Sequence, residues 1–168
     1  MTAYLDNSAT TPVCSEAVEA MKTAVTELWG NPSSLHQKGI EADEMLENAR
    51  SNVARRLFCR DDEVYFTSGG TESNNLAVQG AAHAMRRRGR RIVTTSVEHP
   101  SIDETVKHLE NEDFEVIRLG VDKNGRISER ELFEAVTPDT ILVSIMAVNN
   151  ETGTIQPVEA ARTAVTRA

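Results

Sequence analysis

Arg91-Ile92-Val93-Thr94-Thr95-Ser96-Val97-Glu98-His99-Pro100-Ser101-Ile102-Asp103-Glu104 decides the fold. Arg91 to Thr95 is rich in β-branched residues and reads as a strand. His99-Pro100 closes it. Ser101-Ile102-Asp103-Glu104 has capping-box spacing, so a helix is expected to start at Ser101. A strand that turns directly into a helix is the repeating half of a βαβ unit.

The same alternation extends in both directions. On the N-terminal side, Glu63-Val64-Tyr65-Phe66-Thr67 is expected as a short strand entering Ser68-Gly69-Gly70-Thr71. A helix then carries Leu76, Ala77, Val78, Ala81 and Met85, with Arg86-Arg87-Arg88 in its last turn and Gly89 as its stop. Further back, Ser15-Glu16 opens an amphipathic helix with Val18, Met21, Val25 and Leu28 on one face. Gly30-Asn31-Pro32-Ser33-Ser34 is a loop, and a second helix follows with Ile40, Leu46, Ala49, Val53 and Leu57 as apolar positions. On the C-terminal side come a strand from Phe114 to Leu119, a turn at Asn124-Gly125, and a helix from Ser128 to Val136. Thr140 to Met146 is nearly all apolar and is expected as a strand buried on both faces; a last helix starts after Pro157. The fold class is α/β, a mostly parallel sheet with flanking helices.

Composition narrows the function classes. The chain has 168 residues, 39% of them hydrophobic, with a net charge of −8. That suits a soluble domain and argues against nucleic-acid or membrane-surface partners. With only 4% aromatic residues, little base-stacking surface is available. No apolar run approaches the roughly 20 residues needed to span a bilayer. Met1 to Asp6 has neither a basic nor an apolar leader pattern, so no secretory signal is expected. Two cysteines, Cys14 and Cys59, are too few for a disulfide framework and fit a reducing, cytoplasmic setting. Neither has a neighbour that marks it as a nucleophile.

In parallel sheets, ligands bind beyond the C-terminal strand ends. Three such ends stand out. At Ser68-Gly69-Gly70-Thr71 two glycines let the backbone approach a ligand, and the following helix start favours an anion, a phosphate above all; hydroxyls on Ser68 and Thr71 add donors. The plain alternative is a tight turn with an N-cap. His99 at a strand end can stack on a flat ring or move protons, or serve a structural purpose only. Asn149-Asn150 can present an amide to a ligand oxygen, or form an Asx turn. Asp122, Asn124, Gly125 and Glu131 mimic a calcium loop. Gly120 stands where its first carboxylate belongs, and a strand precedes it in place of a helix, so metal binding is not expected.

Five segments together resemble one family. They are Tyr4 to Pro12, Gly30 to His36, Phe66 to Asn75, Val97 to Pro100, and Val148 to Gly153. In this order they are similar to the cysteine desulfurases of the NifS/IscS type, which are class V aminotransferases of the fold-type I architecture dependent on pyridoxal 5′-phosphate (PLP). The resemblance covers essentially the whole chain. It implies that Gly70 and Thr71 hold the cofactor phosphate, that His99 stacks on the pyridine ring and assists proton transfer, and that Asn150 hydrogen-bonds near the cofactor hydroxyl or the substrate. It implies an N-terminal arm or small-domain segment at 1–15 and the N-terminal portion of the large domain at 16–168. The implied reaction takes L-cysteine to L-alanine and leaves persulfide sulfur on the enzyme, for iron–sulfur cluster or thiolated-RNA pathways.

The family pattern continues further. Its cofactor lysine, its persulfide cysteine and a substrate-binding arginine match no position here, so this chain alone is expected to be inactive and to bind PLP weakly or not at all. A homodimer, a complementing C-terminal chain and a sulfur-acceptor protein are the expected partners. A non-catalytic subunit that kept the scaffold, or part of a selenocysteine lyase, is the alternative.

Overall fold

The computed structural model describes residues 3–168. Met1 and Thr2, the beginning of the expected N-terminal arm and leader-free terminus, lie outside the described residues. Two compact units emerge, residues 1–66 and 67–168.

The first unit is helical. Helix α1 spans Ser15–Thr26 and α2 spans Gln37–Leu57. Val18, Met21 and Val25 lie along one side of α1 as the periodicity predicts, yet α1 buries no residue, and all three are exposed. The loop before α2 is tight: a Cβ on Gly39 would lie 2.1 Å from the Ser34 carbonyl oxygen, so only glycine fits there. His36 caps α2, its Nδ1 accepting from the Gly39 amide at 3.3 Å. The expected strand at Glu63–Thr67 does not form. Asp61–Glu63 is a 3₁₀ turn, and the Glu63 carboxylate accepts from the Arg60 amide at 2.7 Å. The Val64 amide bonds back to Asp61, and its carbonyl accepts from Arg50. Both backbone groups of Val64 thus find local partners in place of a sheet ladder.

The second unit carries the sheet. Helix α3 (Gly70–Met85) precedes β1 (Arg91–Thr95), α4 (Pro100–Glu110), β2 (Glu115–Leu119), α5 (Glu129–Ala135), β3 (Thr140–Val143) and α6 (Val158–Arg167). The strand order is β2-β1-β3, with both pairings parallel. Neighbouring residues of β1 point to opposite faces. Ile92 packs with Val78 and Ala82 of α3 and with Ile102, Val106 and Leu109 of α4. Val93 packs with Leu119, Leu132 and Ala164 on the other face. These two layers are the core, and they confirm the α/β class with a parallel sheet and flanking helices.

Some boundaries differ from expectation. β3 stops at Val143 and is half-buried throughout, not buried on both faces. It lies at one end of the sheet, paired with β1 alone among the described residues. The chain beyond it turns away to build loops. Helix α3 ends at Met85, and Arg86 to Arg88 form a turn in which the Arg86 guanidinium lies over the Phe114 ring at 5.4 Å. Gly89 is required for close approach, not as a left-handed cap: its Cβ would lie 2.2 Å from the Asp139 carbonyl oxygen. Helix α4 starts at Pro100, one residue early, because His99 and not Ser101 is its N-cap.

Candidate functional site

The loops after β1 and β3 and the start of α3 carry the predicted residues, and a polar network joins them. Glu98, half-buried, bridges two loops. Its Oε1 accepts from the Thr95 hydroxyl at 2.9 Å and from the Met146 amide at 2.8 Å. Burial pushes its carboxyl above the usual glutamate range, against the opposing pull of those two hydrogen bonds. Asn149 donates from Nδ2 to the Val97 carbonyl at 3.1 Å. Its Oδ1 accepts from the Glu151 and Thr152 amides, both at 2.9 Å, an Asx turn. Asn149 therefore forms the Asx turn and shapes the loop, and Asn150 lies exposed beside it.

The glycine turn keeps its predicted place at the entry to α3. Gly69 gives α3 no side-chain cap, and the first-turn amides have no intrahelical partner. A Cβ built on Gly69 or Gly70 would meet nothing within 4 Å, so the backbone there faces open space. Ser68 differs from expectation. Its amide and hydroxyl both bond to Glu72 Oε2, each at 2.6 Å, which lowers the Glu72 carboxyl and withdraws Ser68 from ligand duty. Thr71 is the hydroxyl that remains.

Thr71 and His99 line one open hollow of about 380 Å³ between α3 and α4, with Asn75, Gln79, Ser101 and Thr105. Asn150 is not among its lining residues. The seam beneath the hollow is continuous. Asn75 Nδ2 donates to the Thr71 carbonyl at 2.9 Å, and its Oδ1 accepts from Thr105 at 2.9 Å and from Gln79 at 3.1 Å. Asn74 donates to the Ser101 hydroxyl, which contacts His99 Nδ1, both at 2.8 Å. Sequence reasoning marked the strand end at Glu98-His99 but gave Glu98, Asn74 and Ser101 no role of their own. Glu98 and Ser101 lie within two residues of the start of α4, whereas Asn74 sits a full turn inside α3.

Other candidates fall away from this region. Asp122 Oδ1 accepts from the Asn124 and Arg126 amides at 2.8 and 3.0 Å, with Gly125 at φ +77° closing the turn. The Arg126 amide lowers its carboxyl most. Gln156, fully buried, ties this turn to the loop after Asn150: its Oε1 accepts from the Ile127 amide at 3.0 Å and its Nε2 donates to Gly125 O at 2.6 Å. His83 and His108 flank the Glu112 carboxylate at 2.8 and 3.2 Å on the exposed side of α3 and α4. Cys14 is exposed at the N-cap of α1, directly before the helix start expected at Ser15, and Cys59 is half-buried. Among the lysines, Lys107 is held protonated by Asp103 and by Glu104, each at 2.7 Å.

PLP fits the residues present in part. A phosphate suits the open backbone over Gly69 and Gly70 at an uncapped helix start, and an imidazole stands close by. None of the four lysines lines this hollow, and Lys107, paired with Asp103 and Glu104, holds its proton.

Comparison with known proteins places the chain as a whole. The NifS/IcsS protein homolog of Lactobacillus delbrueckii subsp. bulgaricus is 54% identical over 156 residues, 93% of this chain and 40% of that protein. Cysteine desulfurase IscS of Methanosarcina thermophila is 50% identical over 156 residues, 93% of this chain and 39% of its own length. A solved structure of a NifS-like protein superposes with a TM-score of 0.93 at 44% identity, covering 99% of this chain and 46% of that one. The chain thus spans about 40% of the length of the curated relatives it matches. The aminotransferase class-V family model matches residues 3–168, and the chain belongs to that family.

Proposed function

We propose that this chain is the N-terminal portion of a PLP-dependent cysteine desulfurase, and that residues 67–168 supply one wall of its cofactor site. The observation that carries the reading is the juxtaposition of an uncapped, sterically open helix start at Gly70-Thr71 with His99 across one hollow. Two relatives at 50% and 54% identity carry the names of cysteine desulfurase IscS and NifS/IcsS homolog.

In this reading PLP, when bound, supplies the electron sink that makes a carbon–sulfur bond of L-cysteine breakable. Gly70 and Thr71 hold its phosphate through backbone amides and one hydroxyl. His99 covers the ring and handles a proton. Asn150 hydrogen-bonds an oxygen of the cofactor or the substrate. The Glu98 and Asn149 clamps hold the loops that carry His99 and Asn150. Residues 1–15 form an arm, and residues 16–168 the first part of the large domain.

The cofactor lysine, the persulfide cysteine and the carboxylate-binding arginine belong to the part of the relatives' length that these 168 residues do not span, carried on the same polypeptide or on a complementing partner chain. The exposed apolar side chains Val158 and Val165, which line one hollow on α6, suit such a partner, because water-facing apolar surface favours association. Sulfur passes from the enzyme persulfide to an acceptor protein in cytoplasmic iron–sulfur or thiolated-RNA assembly.

The pure 168-residue chain is expected to release neither alanine nor sulfide from L-cysteine with added PLP. Adding a polypeptide that carries the missing lysine and cysteine restores both. Turnover by the pure chain at an ordinary enzyme rate, on the order of 1–10³ per second, would contradict this reading.

A further inference from the structure

The polar seam between α3 and α4 holds a directional relay that ends on the histidine. Ser101 is buried and Asn74 half-buried, so the seam is largely shielded from water. His99 Nδ1 has two neighbours: the Ser101 backbone amide at 3.1 Å and the Ser101 hydroxyl at 2.8 Å. A backbone N–H can only donate. Nδ1 must therefore present a lone pair, and the neutral ring carries its proton on Nε2. The hydroxyl obeys the same polarity. Asn74 Nδ2 donates into Ser101 Oγ at 2.8 Å, which leaves the hydroxyl hydrogen for Nδ1. Turning the Asn74 amide round would ask Nδ1 to donate into Oγ while it still accepts from the amide, and one neutral nitrogen cannot do both. The direction Asn74 to Ser101 to His99 is therefore fixed by a group that cannot flip.

We propose that Asn74 and Ser101 are positioning residues that lock the His99 proton on Nε2, so that the neutral ring can give a proton from that nitrogen but cannot take one there. The role in turnover rests on the cofactor reading above; the relay itself does not. The other ionisable groups at this place are accounted for. Glu98 is turned inward to Thr95 and Met146, while Glu104 and His108 line the hollow beyond Thr105.

Long-range ¹H–¹⁵N correlations of the ¹⁵N-labelled chain read the tautomer directly, with the His99 signals assigned by their loss in His99→Gln. At a pH where the ring is neutral, Nε2 is expected to be pyrrole-like and Nδ1 pyridine-like. Asn74→Asp replaces the donor with an acceptor and recruits the Ser101 hydroxyl, so Nδ1 loses that donor and its resonance moves toward that of free imidazole, while the Ser101 backbone amide keeps it pyridine-like. Ser101→Ala removes one of the two donors, and the Nδ1 resonance moves toward that of free imidazole. A wild-type ring protonated on Nδ1, or an Nδ1 resonance unmoved in both variants, overturns the relay. The wild-type spectrum decides the point even if a variant fails to fold. Pyridoxine 5′-phosphate added to the same sample separates the two claims. A tautomer as expected without ligand shifts at Gly70 and Thr71 removes the cofactor reading alone; the wrong tautomer with those shifts present removes the relay alone.

Discussion

Glu98 brings a carboxylate to a half-buried point between two loops, so its charge state ties the site to pH. Burial raises its carboxyl above the range of an unfolded glutamate. Between the two values the native chain binds a proton that the unfolded chain has lost. Glu98 therefore favours the fold below the ordinary glutamate range, and that contribution disappears as pH rises through the native value. Glu98→Gln keeps an acceptor oxygen for Met146 and Thr95 and removes the titration. Denaturant unfolding across mildly acidic pH is expected to show a shallower slope in the variant and at least equal stability at neutral pH; an unchanged slope would contradict the assignment. At this scale, the residues read as ligand contacts from sequence were those at strand ends. Ser68 was misread because its donors turn to Glu72, a pairing four residues apart that the glycine pattern does not reveal.

Elements with strong periodicity were legible. The α4 apolar positions Ile102, Val106 and Leu109 fall on one stripe and are buried as that stripe requires. The first expected strand was not legible: Val64, Tyr65 and Phe66 have strand propensity, but Asp61–Glu63 and Arg50 take their backbone partners. Tertiary context also decides Gly89. It looked like a helix stop, whereas the Asp139 carbonyl packs where its Cβ would lie. Gly89→Ala is expected to destabilise the fold by about 1–3 kcal/mol, the range for overpacking a tight site. Gly80→Ala, where a Cβ meets nothing within 4 Å, is expected to be neutral or slightly stabilising in its helix. Thermal unfolding of both checks this, and equal melting temperatures would contradict it.

For the molecule as a whole, the second unit organises a two-faced parallel sheet so that loops from β1 and β3 meet, clamped by Glu98 and Asn149, near the open start of α3. The order of motifs along the chain made that assembly readable, because each strand end in a parallel sheet faces the same way. The clamps were not readable, since Glu98–Met146 and Asn149–Val97 join residues about fifty positions apart. The central claim is that Gly70, Thr71, His99 and Asn150 border one site for a phosphorylated pyridine. Amide shift mapping of the ¹⁵N-labelled chain with pyridoxine 5′-phosphate tests it most directly, because that ligand has no aldehyde to react with surface lysines. Saturable shifts concentrated at those four residues are predicted. Shifts confined to the arginine-lined hollow at Asn52, Arg55, Arg56 and Phe58, or no saturable shifts at all, would contradict the claim.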